Sequence, residues 1–427
     1  MTERYDVLVV GAGPAGLAAA KAAASHGARV GVLDAQPRAG GQVWRHDVRH
    51  APARAARKAM SALDGVDWLV GHQVVATGQQ RLLVEANGKP VSLDYGSLVL
   101  ATGARELLLP FPGWTLPGVT GAGGLQSLVK QGWPIAGKRV VVAGSGPLLL
   151  AAAASLRRHG AQVLGIYEQA SSQSIHAFAR QLLRWPGRAI QAAKLRAQLA
   201  GVPYHFGSWA SVARGGDRLR TIELHGPHGT QTIACDHLAV GYGLVPNTEL
   251  ASLLGCALGG HGKHPQVRVD ELMHTSVDQV YAAGEACGIG GLATARIEGR
   301  IAGLAATGID AEARTLMTRR GHERRFAALL QQHFSLNPQL YQLATPETLI
   351  CRCEDVPLSA LDDFADAREA KLATRCGMGA CQGRICGTAL NELGRFPRES
   401  PRSPIFPARL ATLASADSSH SDLDRGL

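Results

Sequence analysis

The chain twice repeats the same order of apolar and helical segments. An apolar run at residues 5–10 is followed by an alanine-rich helical stretch to about residue 26 and by a second apolar run at 29–33. The order returns at residues 138–143 and 162–167, again with a helical stretch between the two runs. A strand, a helix and a second strand in this order are typical of a βαβ unit with parallel strands. The pattern therefore predicts an α/β protein with two Rossmann-like dinucleotide-binding domains.

The turn after the first strand carries a glycine motif, GxGxxG, formed by Gly11, Gly13 and Gly16. Gly11 permits the tight turn, Gly13 lets a pyrophosphate approach the backbone, and Gly16 lets the helix pack on the strand. Ala15 belongs to the same turn, where a helix N-terminus attracts phosphate. Asp34 ends the second strand, where a carboxylate accepts hydrogen bonds from ribose hydroxyls. We therefore predict a dinucleotide site here.

Later segments favour FAD as the dinucleotide of this first site. Residues 98–104 form an apolar strand that resembles the ATG signature of glutathione-reductase-like flavoproteins. Residues 275–285 resemble the strand and turn that bring an acidic residue to the flavin ribityl chain in that superfamily, and residues 40–42 resemble its flavin-side loop. The resemblance implies that FAD is also bound by Gly41, Gln42, Ala101, Thr102, Gly103, Gly284 and Glu285.

The second βαβ unit has an altered motif. Gly144 and Gly146 are present, but Leu149 stands where the third glycine is expected. Glu168 ends the second strand and favours a free ribose 2′-hydroxyl over a 2′-phosphate, so NADP is disfavoured. Two alternatives stay open: a site for an adenine nucleotide, NAD or ATP, bound by Gly144, Gly146 and Glu168, or a retained fold without a ligand.

Five of the eight cysteines lie close together near the C-terminal end: Cys351, Cys353, Cys376, Cys381 and Cys386. Such crowding in a protein expected to be cytoplasmic indicates a metal site rather than disulfides. A CxC pair followed by a glycine-rich CxxxxC pair differs from the spacing of a zinc ribbon. The segment resembles the bacterioferritin-associated-ferredoxin type of 2Fe-2S module. A zinc site and free thiols remain alternatives.

The choice of cluster ligands rests on that resemblance. Relatives with the run R-x-G-M-G-x-C-Q-G-x-x-C imply that Cys351, Cys353, Cys381 and Cys386 bind the cluster. Cys376 is then the one cysteine of the five that is not a ligand. The remaining cysteines form no CxxC in the second βαβ unit and no CxxxxC after the first strand pair, so the redox disulfide of disulfide reductases is absent. We interpret Cys287 as a small buried residue rather than a redox thiol.

Bulk composition narrows the function further. The formal charge of +10 is scattered and is not accompanied by a nucleic-acid recognition motif, so we expect no nucleic-acid partner. The first strand begins so near Met1 that no room remains for a signal peptide, and we expect a cytoplasmic protein. No apolar run approaches the eighteen or so residues that span a bilayer, so any contact with the inner membrane is expected to be peripheral.

With these motifs in this order, nearly the whole chain resembles the α subunits of bacterial dye-linked dehydrogenases, which include opine oxidases, D-hydroxyproline dehydrogenase and the middle subunit of hydrogen cyanide synthase. Residues 144–150, 241–250, 284–291 and 375–386 carry most of the match. The fold so implied has two dinucleotide-binding domains of the glutathione/thioredoxin-reductase type and a small C-terminal 2Fe-2S module.

The resemblance also implies a function and partners. An FAD-dependent β subunit of the glycine-oxidase type oxidises a secondary amine or amino acid (D-hydroxyproline, an opine, or glycine to cyanide), and a small γ subunit is a further partner in this scheme. The α subunit relays the electrons through FAD and the 2Fe-2S cluster. We assign no catalytic acid or base to this chain. The alternatives are a stand-alone NADH-dependent flavin or ferredoxin-type reductase and a largely structural subunit.

The motifs predict the following domain boundaries. The FAD domain comprises residues 1–118 and 246–315, and the nucleotide-binding-like domain, residues 119–245, is inserted between them. A helical linker follows at 316–340. The 2Fe-2S module with a C-terminal arm occupies 341–414, and we expect a disordered tail at 415–427 because it is rich in Ser and Asp without apolar periodicity.

Overall fold

The computed structural model describes residues 2–61, 63, 65–260, 263–397 and 400–417. Contacts divide the chain into two compact units. Unit 1 comprises Met1–Arg105, Val245–Ala327 and Ser400–Leu427, and unit 2 comprises Glu106–Leu244 and Ala328–Glu399.

The strands are β1 (Thr2–Val10), β2 (Val30–Asp34), β3 (Asp67–Val70), β4 (His72–Gly78), β5 (Arg81–Ala86), β6 (Lys89–Leu100), β7 (Ala104–Glu106), β8 (Val119–Gly121), β9 (Arg139–Gly144), β10 (Gln162–Glu168), β11 (Tyr204–Phe206), β12 (Trp209–Gly215), β13 (Leu219–Gly226), β14 (Gly229–Ala234), β15 (His237–Gly241), β16 (Leu244–Pro246), β17 (Leu258–Gly259), β18 (Gln266–Val267), β19 (Val280–Ala282), β20 (Leu349–Cys351) and β21 (Val356–Pro357). The α-helices are α1 (Pro14–Ala24), α2 (Arg54–Met60), α3 (Ala122–Lys130), α4 (Leu148–Arg158), α5 (Ser172–Leu182), α6 (Pro186–Gln198), α7 (Glu249–Leu253), α8 (Gly291–Ala305), α9 (Asp310–Arg314), α10 (Met317–His333), α11 (Ala367–Thr374), α12 (Cys386–Glu392) and α13 (Leu410–Asp417). Short 3-10 helices cover Gly284–Cys287, Pro338–Gln342 and Leu358–Leu361.

Unit 1 is built on a seven-stranded sheet in the order β3-β2-β1-β6-β5-β4, with β19 paired to β6. Strand β1 pairs in parallel with both β2 and β6, as the βαβ pattern predicts. Helices α1 and α8 pack closely through glycines. A Cβ on Gly299 would lie 2.0 Å from the carbonyl oxygen of Ala15, and one on Gly303 would lie 2.2 Å from that of Ala19. This packing fixes the turn before α1 beside the turn before α8.

Unit 2 contains the second dinucleotide fold, a five-stranded parallel sheet in the order β11-β10-β9-β15-β8. A separate three-stranded sheet, β12-β13-β14, is antiparallel. Leu149, in the place of the third glycine, is fully buried. Its Cδ2 lies 3.5 Å from the position that a Cβ on Gly241 would take, an ordinary van der Waals distance, so Leu149 packs beside Gly241 at the end of β15.

The cysteine-rich module lies in unit 2 and has its own small core. Ile350, Val356, Leu361 and Leu390 are buried there together with Phe396. The first helix of the module, α11, is capped by Asp366, whose carboxylate accepts a hydrogen bond from the Glu369 amide at 2.8 Å.

Some domain boundaries differ from those predicted. Residues 106–118 lie in unit 2, so the first FAD-domain segment ends at Arg105 rather than at 118. The C-terminal arm packs on unit 1 rather than with the module: the Ile405 amide donates to the Val75 carbonyl at 2.9 Å, and the Arg409 amide donates to Glu85 at 2.9 Å. The paired residues are more than 300 positions apart, so no local sequence pattern could predict where the C-terminal arm packs.

The predicted helical linker at 316–340 contains α10 and the start of the 3-10 helix at Pro338–Gln342. The boundary of the predicted tail differs from the structure. Helix α13 continues to Asp417, so the predicted unstructured tail begins three residues too early. Residues 418–427 of that tail lie outside the described residues.

Candidate functional site

The first glycine turn has the close approaches that its motif predicts. Gly11 has φ +109°, and a Cβ there would lie 2.3 Å from the carbonyl oxygen of Ala101 at the end of β6. A Cβ on Gly16 would lie 1.8 Å from the Gly11 carbonyl oxygen. Gly41 approaches from the loop after β2, because a Cβ on it would lie 2.9 Å from the Cα of Gly13. These residues form a narrow backbone cradle without side chains.

Asp34 lies beside this cradle at the end of β2. Its Oδ2 accepts the Ala12 amide at 2.7 Å, and its Oδ1 accepts the Gln36 amide at 2.8 Å. Arg45, which no motif predicts, lies in the same region, and its buried Nε has no hydrogen-bond partner among the described residues. Burial lowers the pKa of Arg45, and the nearby charge of Asp34 opposes this shift. An unpartnered guanidinium nitrogen near Asp34 fits an anionic ligand.

The residues after β6 are anchored to the loop that begins α7. Thr102 Oγ1 donates to the Asn247 carbonyl at 2.7 Å, and Asn247 Nδ2 returns a bond to the Thr102 carbonyl at 3.0 Å. The Asn247 amide donates to the Gly103 carbonyl at 3.0 Å. Arg105, paired with Glu249 at 2.9 Å, also donates to Asn247. Asn247 therefore positions the Ala101–Thr102–Gly103 turn, a role that its place in a P-N dipeptide only hints at.

Glu285 is the clearest ligand-directed group in unit 1. Its Oε1 accepts the Gly291 amide at 2.8 Å, whereas its Oε2 is buried and has no hydrogen-bond partner among the described residues. Burial raises the pKa of Glu285 to about 7, and the bond from Gly291 opposes the shift. A buried, unpaired carboxylate oxygen is costly unless a ligand supplies a donor. A ribityl hydroxyl of FAD is a donor of the required kind, so the residues present fit this cofactor.

A buried ion cluster lies behind this turn and was not predicted. Glu298 is fully buried on α8, and its Oε2 accepts the Gly284 amide at 3.1 Å. Its Oε1 accepts Arg320 Nε at 3.0 Å and Arg324 Nε at 2.8 Å. Arg324 also donates to the Cys287 carbonyl at 3.2 Å. The cluster fixes the backbone of Gly284–Cys287, and Glu298 takes part in it from a buried position of α8.

Cys287 is buried, and burial together with the charge of Glu298 raises the pKa of its thiol. A neutral, covered thiol is a poor nucleophile. This geometry agrees with our interpretation of Cys287 as a packing residue.

The second glycine turn repeats the geometry of the first but is more covered. Gly144 has φ +145°, and a Cβ there would lie 2.0 Å from the Gly241 carbonyl oxygen. Glu168 has no exposed surface, and its two carboxylate oxygens accept the amides of Gly146 and Ala170 at 2.7 and 2.9 Å. Burial raises the pKa of Glu168 to about 7 against these hydrogen bonds.

The structure brings all five C-terminal cysteines into one region. The sulfur atoms of Cys351, Cys376 and Cys386 lie within 4.8 Å of one another, and all three residues are buried. The Cys381 thiol lies within hydrogen-bonding reach of both Cys386 and Cys353. Thiolates are the ligands that iron–sulfur clusters require, so this donor set fits a 2Fe-2S cluster. Cys376, which the sequence leaves over, is part of the compact buried trio.

The two cysteine-bearing loops are tied together outside the sulfurs. Arg375 Nε donates to Glu354 Oε2 at 2.8 Å, which links the CxCE segment to the start of the glycine-rich loop. A Cβ on Gly379 would lie 2.2 Å from the Cβ of Cys353, so only glycine permits this approach. Gly377 and Gly383 have φ +85° and +73°. Both angles lie in the left-handed region that favours glycine.

Comparisons with known proteins place the chain in a family. The family described as pyridine nucleotide-disulphide oxidoreductase matches residues 5–305. The chain belongs to this family. It is therefore an oxidoreductase with an α/β dinucleotide-binding fold of the kind that binds FAD and NAD(P).

This pyridine nucleotide-disulphide oxidoreductase family member has relatives along nearly its whole length. It is 31% identical to an opine oxidase subunit of Agrobacterium tumefaciens (strain Ach5), over 97% of this chain and 92% of the relative. It is 30% identical to the hydrogen cyanide synthase subunit HcnB of Pseudomonas protegens, over 98% and 99%. These relatives confirm the family resemblance predicted from the motifs. Both are subunits of larger enzymes by name.

A solved structure shares the fold. L-proline dehydrogenase from P. horikoshii matches with a TM-score of 0.69 and 20% identity, over 97% of this chain and 80% of that one. Among the described residues, no helix is both long and apolar enough to span a bilayer.

Proposed function

We propose that this chain is the electron-transfer subunit of a hetero-oligomeric dye-linked dehydrogenase. Its partner, an FAD-dependent subunit of the glycine-oxidase type, oxidises a secondary amine or amino acid such as D-hydroxyproline, an opine or glycine. This chain holds FAD in unit 1 and a 2Fe-2S cluster in unit 2. The observation that carries the proposal is that one chain combines the unpaired Glu285 carboxylate oxygen with the cluster of five thiols.

The FAD assignment rests on the chain's own groups. The cradle of Gly11, Gly13 and Gly41 would admit the pyrophosphate, and Asp34 would accept from the adenosine ribose. Glu285 would accept from the ribityl chain through its free Oε2. Glu298 with its two arginines keeps the Gly284 turn in position for this contact.

The cluster assignment rests on Cys351, Cys353, Cys381 and Cys386 as ligands. Trp114 Nε1 donates to the Leu349 carbonyl at 2.6 Å and holds β20, which ends at Cys351. Arg375 and Glu354 hold the two ligand loops at a fixed separation. When bound, FAD would supply electron exchange either as a pair or one electron at a time, and a 2Fe-2S cluster would exchange single electrons, so together they would connect a two-electron donor to a one-electron acceptor.

Two features support amine chemistry on a partner rather than on this chain. Near the flavin turn, neither Glu298 nor Cys287 can serve as a free acid or base, because Glu298 is paired with two arginines and Cys287 is a covered thiol. The full-length relatives are named as subunits, one of opine oxidase and the other, HcnB, of hydrogen cyanide synthase. We therefore assign substrate recognition to another polypeptide.

Affinity purification of the tagged chain from its native source, followed by a dye-reduction assay, tests this proposal. The co-purified complex is expected to reduce an artificial dye with D-hydroxyproline, an opine or glycine, and the isolated chain is expected to be inactive with all three. Full turnover by the isolated chain would contradict the proposal. Rapid flavin bleaching by NADH in the isolated chain would favour a stand-alone reductase instead.

A further inference from the structure

The phosphate-binding turn of the second dinucleotide fold is covered by the chain itself. The covering residues, 334–337, follow α10 and precede the cysteine-rich module, and we call them the cap segment. The cap segment and the turn belong to the same compact unit. Its position was not predicted, because nothing in the pattern around it resembles a binding motif.

The first half of the cap segment contacts the turn directly. Ser145 Oγ donates to the Phe334 carbonyl at 3.1 Å. The Phe334 ring lies 3.8 Å from the position that a Cβ on Gly146 would take. The three turn residues, 144–146, are all buried. A main-chain carbonyl and an aromatic ring thus occupy the face from which a pyrophosphate approaches such a turn.

The second half contacts the end of β10, where a ribose is expected. Gln169 follows Glu168, and its Nε2 donates to the Ser335 carbonyl at 3.1 Å. Its Oε1 accepts the Asn337 amide at 2.9 Å. Gln169 Nε2 also donates to Ser145 Oγ at 2.9 Å, which joins both contact points into one network. The network leaves Glu168 without exposed surface.

Helix α5 holds the cap segment from a third direction. The rings of Phe178 and Phe334 meet edge to face with centroids 5.0 Å apart. Ser174 Oγ donates to the carbonyl of His333 at 2.9 Å, and Gln181 Nε2 lies 2.9 Å from His333 Nε2. The segment is thus fixed at the glycine turn, at the end of β10 and along α5.

The first dinucleotide fold provides the internal comparison. Gly11, Gly13 and Asp34 are each partly exposed, whereas Gly144, Gly146 and Glu168 are each buried. The two folds therefore share the geometry of the motif, but its ligand face is accessible in the first fold and covered in the second.

We infer that the cap segment occupies the nucleotide position of the second fold, which therefore binds neither NAD(H) nor ATP in the resting chain. A nucleotide phosphate would meet the carbonyl oxygen of Phe334 beside the turn. The partial negative charge of this carbonyl oxygen would repel the negatively charged phosphate oxygens. Binding would require displacement of the segment, which lowers the apparent affinity by the fraction of chains in which it is displaced. The inference goes beyond the proposed function, since it depends on neither the cluster nor a partner.

Three measurements on the full chain test this inference. Nucleotides released by denaturation are analysed, ATP and NADH are titrated separately, and amide hydrogen exchange is followed at residues 144–146 and 334–337. The wild-type chain is expected to release FAD without ATP or NAD, and both segments are expected to exchange slowly. Phe334→Ala is expected to raise the apparent affinity for ATP or NADH by at least about tenfold. Ser335→Ala is the matched control, because residue 335 contacts Gln169 through its carbonyl, and it should behave as wild type.

Hydrogen exchange at residues 334–337, read together with nucleotide affinity, distinguishes the outcomes. Weak nucleotide binding that speeds exchange at 334–337 supports the inference, because it shows displacement of the cap segment. Tight binding with unchanged exchange there would overturn it, as would fast exchange at 334–337 in the ligand-free chain. If Phe334→Ala does not fold, Gln169→Ala replaces it. A folded variant that exchanges freely at 334–337 and gains no affinity would also overturn it. Flavin content serves as the control for the first fold.

Discussion

The backbone amide of Gly291 donates to Oε1 of Glu285 at 2.8 Å, and the second carboxylate oxygen of Glu285 is buried without a partner among the described residues. The start of α8 therefore orients the Glu285 carboxylate, and its second oxygen remains available to accept a hydrogen bond from a ligand. This relationship gives the FAD assignment its most direct test.

Glu285→Gln is expected to weaken FAD binding by about 10- to 100-fold, since a hydrogen bond to a charged acceptor contributes about 1.5–3 kcal/mol. The pKa of Glu285 is raised to about 7 by burial, so the ionised fraction of the apoprotein grows between pH 6 and 8. A ribityl hydroxyl donates to the ionised form, and FAD affinity should rise with pH in this window. The variant should lose that rise. Fluorescence titration of apoprotein with FAD measures both effects, and an unchanged affinity and pH profile would reject the assignment.

A pair of glycine variants separates folding from FAD binding. Gly11→Ala should prevent folding of unit 1, because its Cβ would lie 2.3 Å from the Ala101 carbonyl oxygen at a φ that only glycine readily adopts. Gly13 has φ −79°, and the nearest atom to its added Cβ is the Gly41 Cα at 3.9 Å. Gly13→Ala should therefore fold and lose flavin. Circular dichroism with flavin absorbance checks the pair, and a flavin-replete Gly13→Ala chain would contradict the proposed pyrophosphate position.

The cluster ligands can be tested by serine substitution. Cys353→Ser should lose the cluster, whereas Cys376→Ser should keep it, although Cys376 belongs to the buried trio with Cys351 and Cys386. Iron content, acid-labile sulfide and the electron paramagnetic resonance spectrum of the reduced protein measure the result. The reverse pattern would assign Cys376 as a ligand in place of Cys353.

Glu168 predicts a pH-dependent stability of unit 2. Burial raises its folded-state pKa to about 7 from the ordinary value of 4.5, so the folded state binds more protons than the unfolded state between these values. The free energy of unfolding must then fall as pH rises from about 5 to 7, by up to about 1.4 kcal/mol per pH unit. Glu168→Gln should flatten this trend in the FAD-loaded protein. Calorimetric melting at several pH values measures the free energy of unfolding of both proteins. An equal dependence of this free energy on pH in the two proteins would contradict the expected titration of Glu168.

The sequence predicts the parts of the fold that depend on local chemistry. The first βαβ unit could be predicted from Gly11, Gly16 and Asp34. Each of these residues contacts either a residue close to it in the chain or the end of an adjacent strand. The replacement of a glycine by Leu149 was visible, but its packing beside Gly241 required the structure, since β9 and β15 become neighbours only in the folded sheet.

The long-range features were out of reach of motif analysis. The cap segment, the Glu298 cluster and the arm that pairs Ile405 with Val75 each join residues far apart in the chain. Their formation depends on tertiary packing rather than on propensity or periodicity. Two arginines four residues apart on α10, Arg320 and Arg324, were visible in the sequence, but their pairing with Glu298 on α8 required the structure.

Anaerobic reduction of the purified, cofactor-loaded chain, with and without its partner subunit, distinguishes an electron-transfer subunit from a self-sufficient enzyme. Flavin absorbance and the electron paramagnetic resonance signal of a reduced cluster are recorded after addition of D-hydroxyproline, an opine, glycine or NADH. We predict that the isolated chain stays oxidised with all four compounds and that the amine substrate reduces it once the partner is added. Reduction of the isolated chain at a catalytic rate by any amine or by NADH would contradict the proposed function.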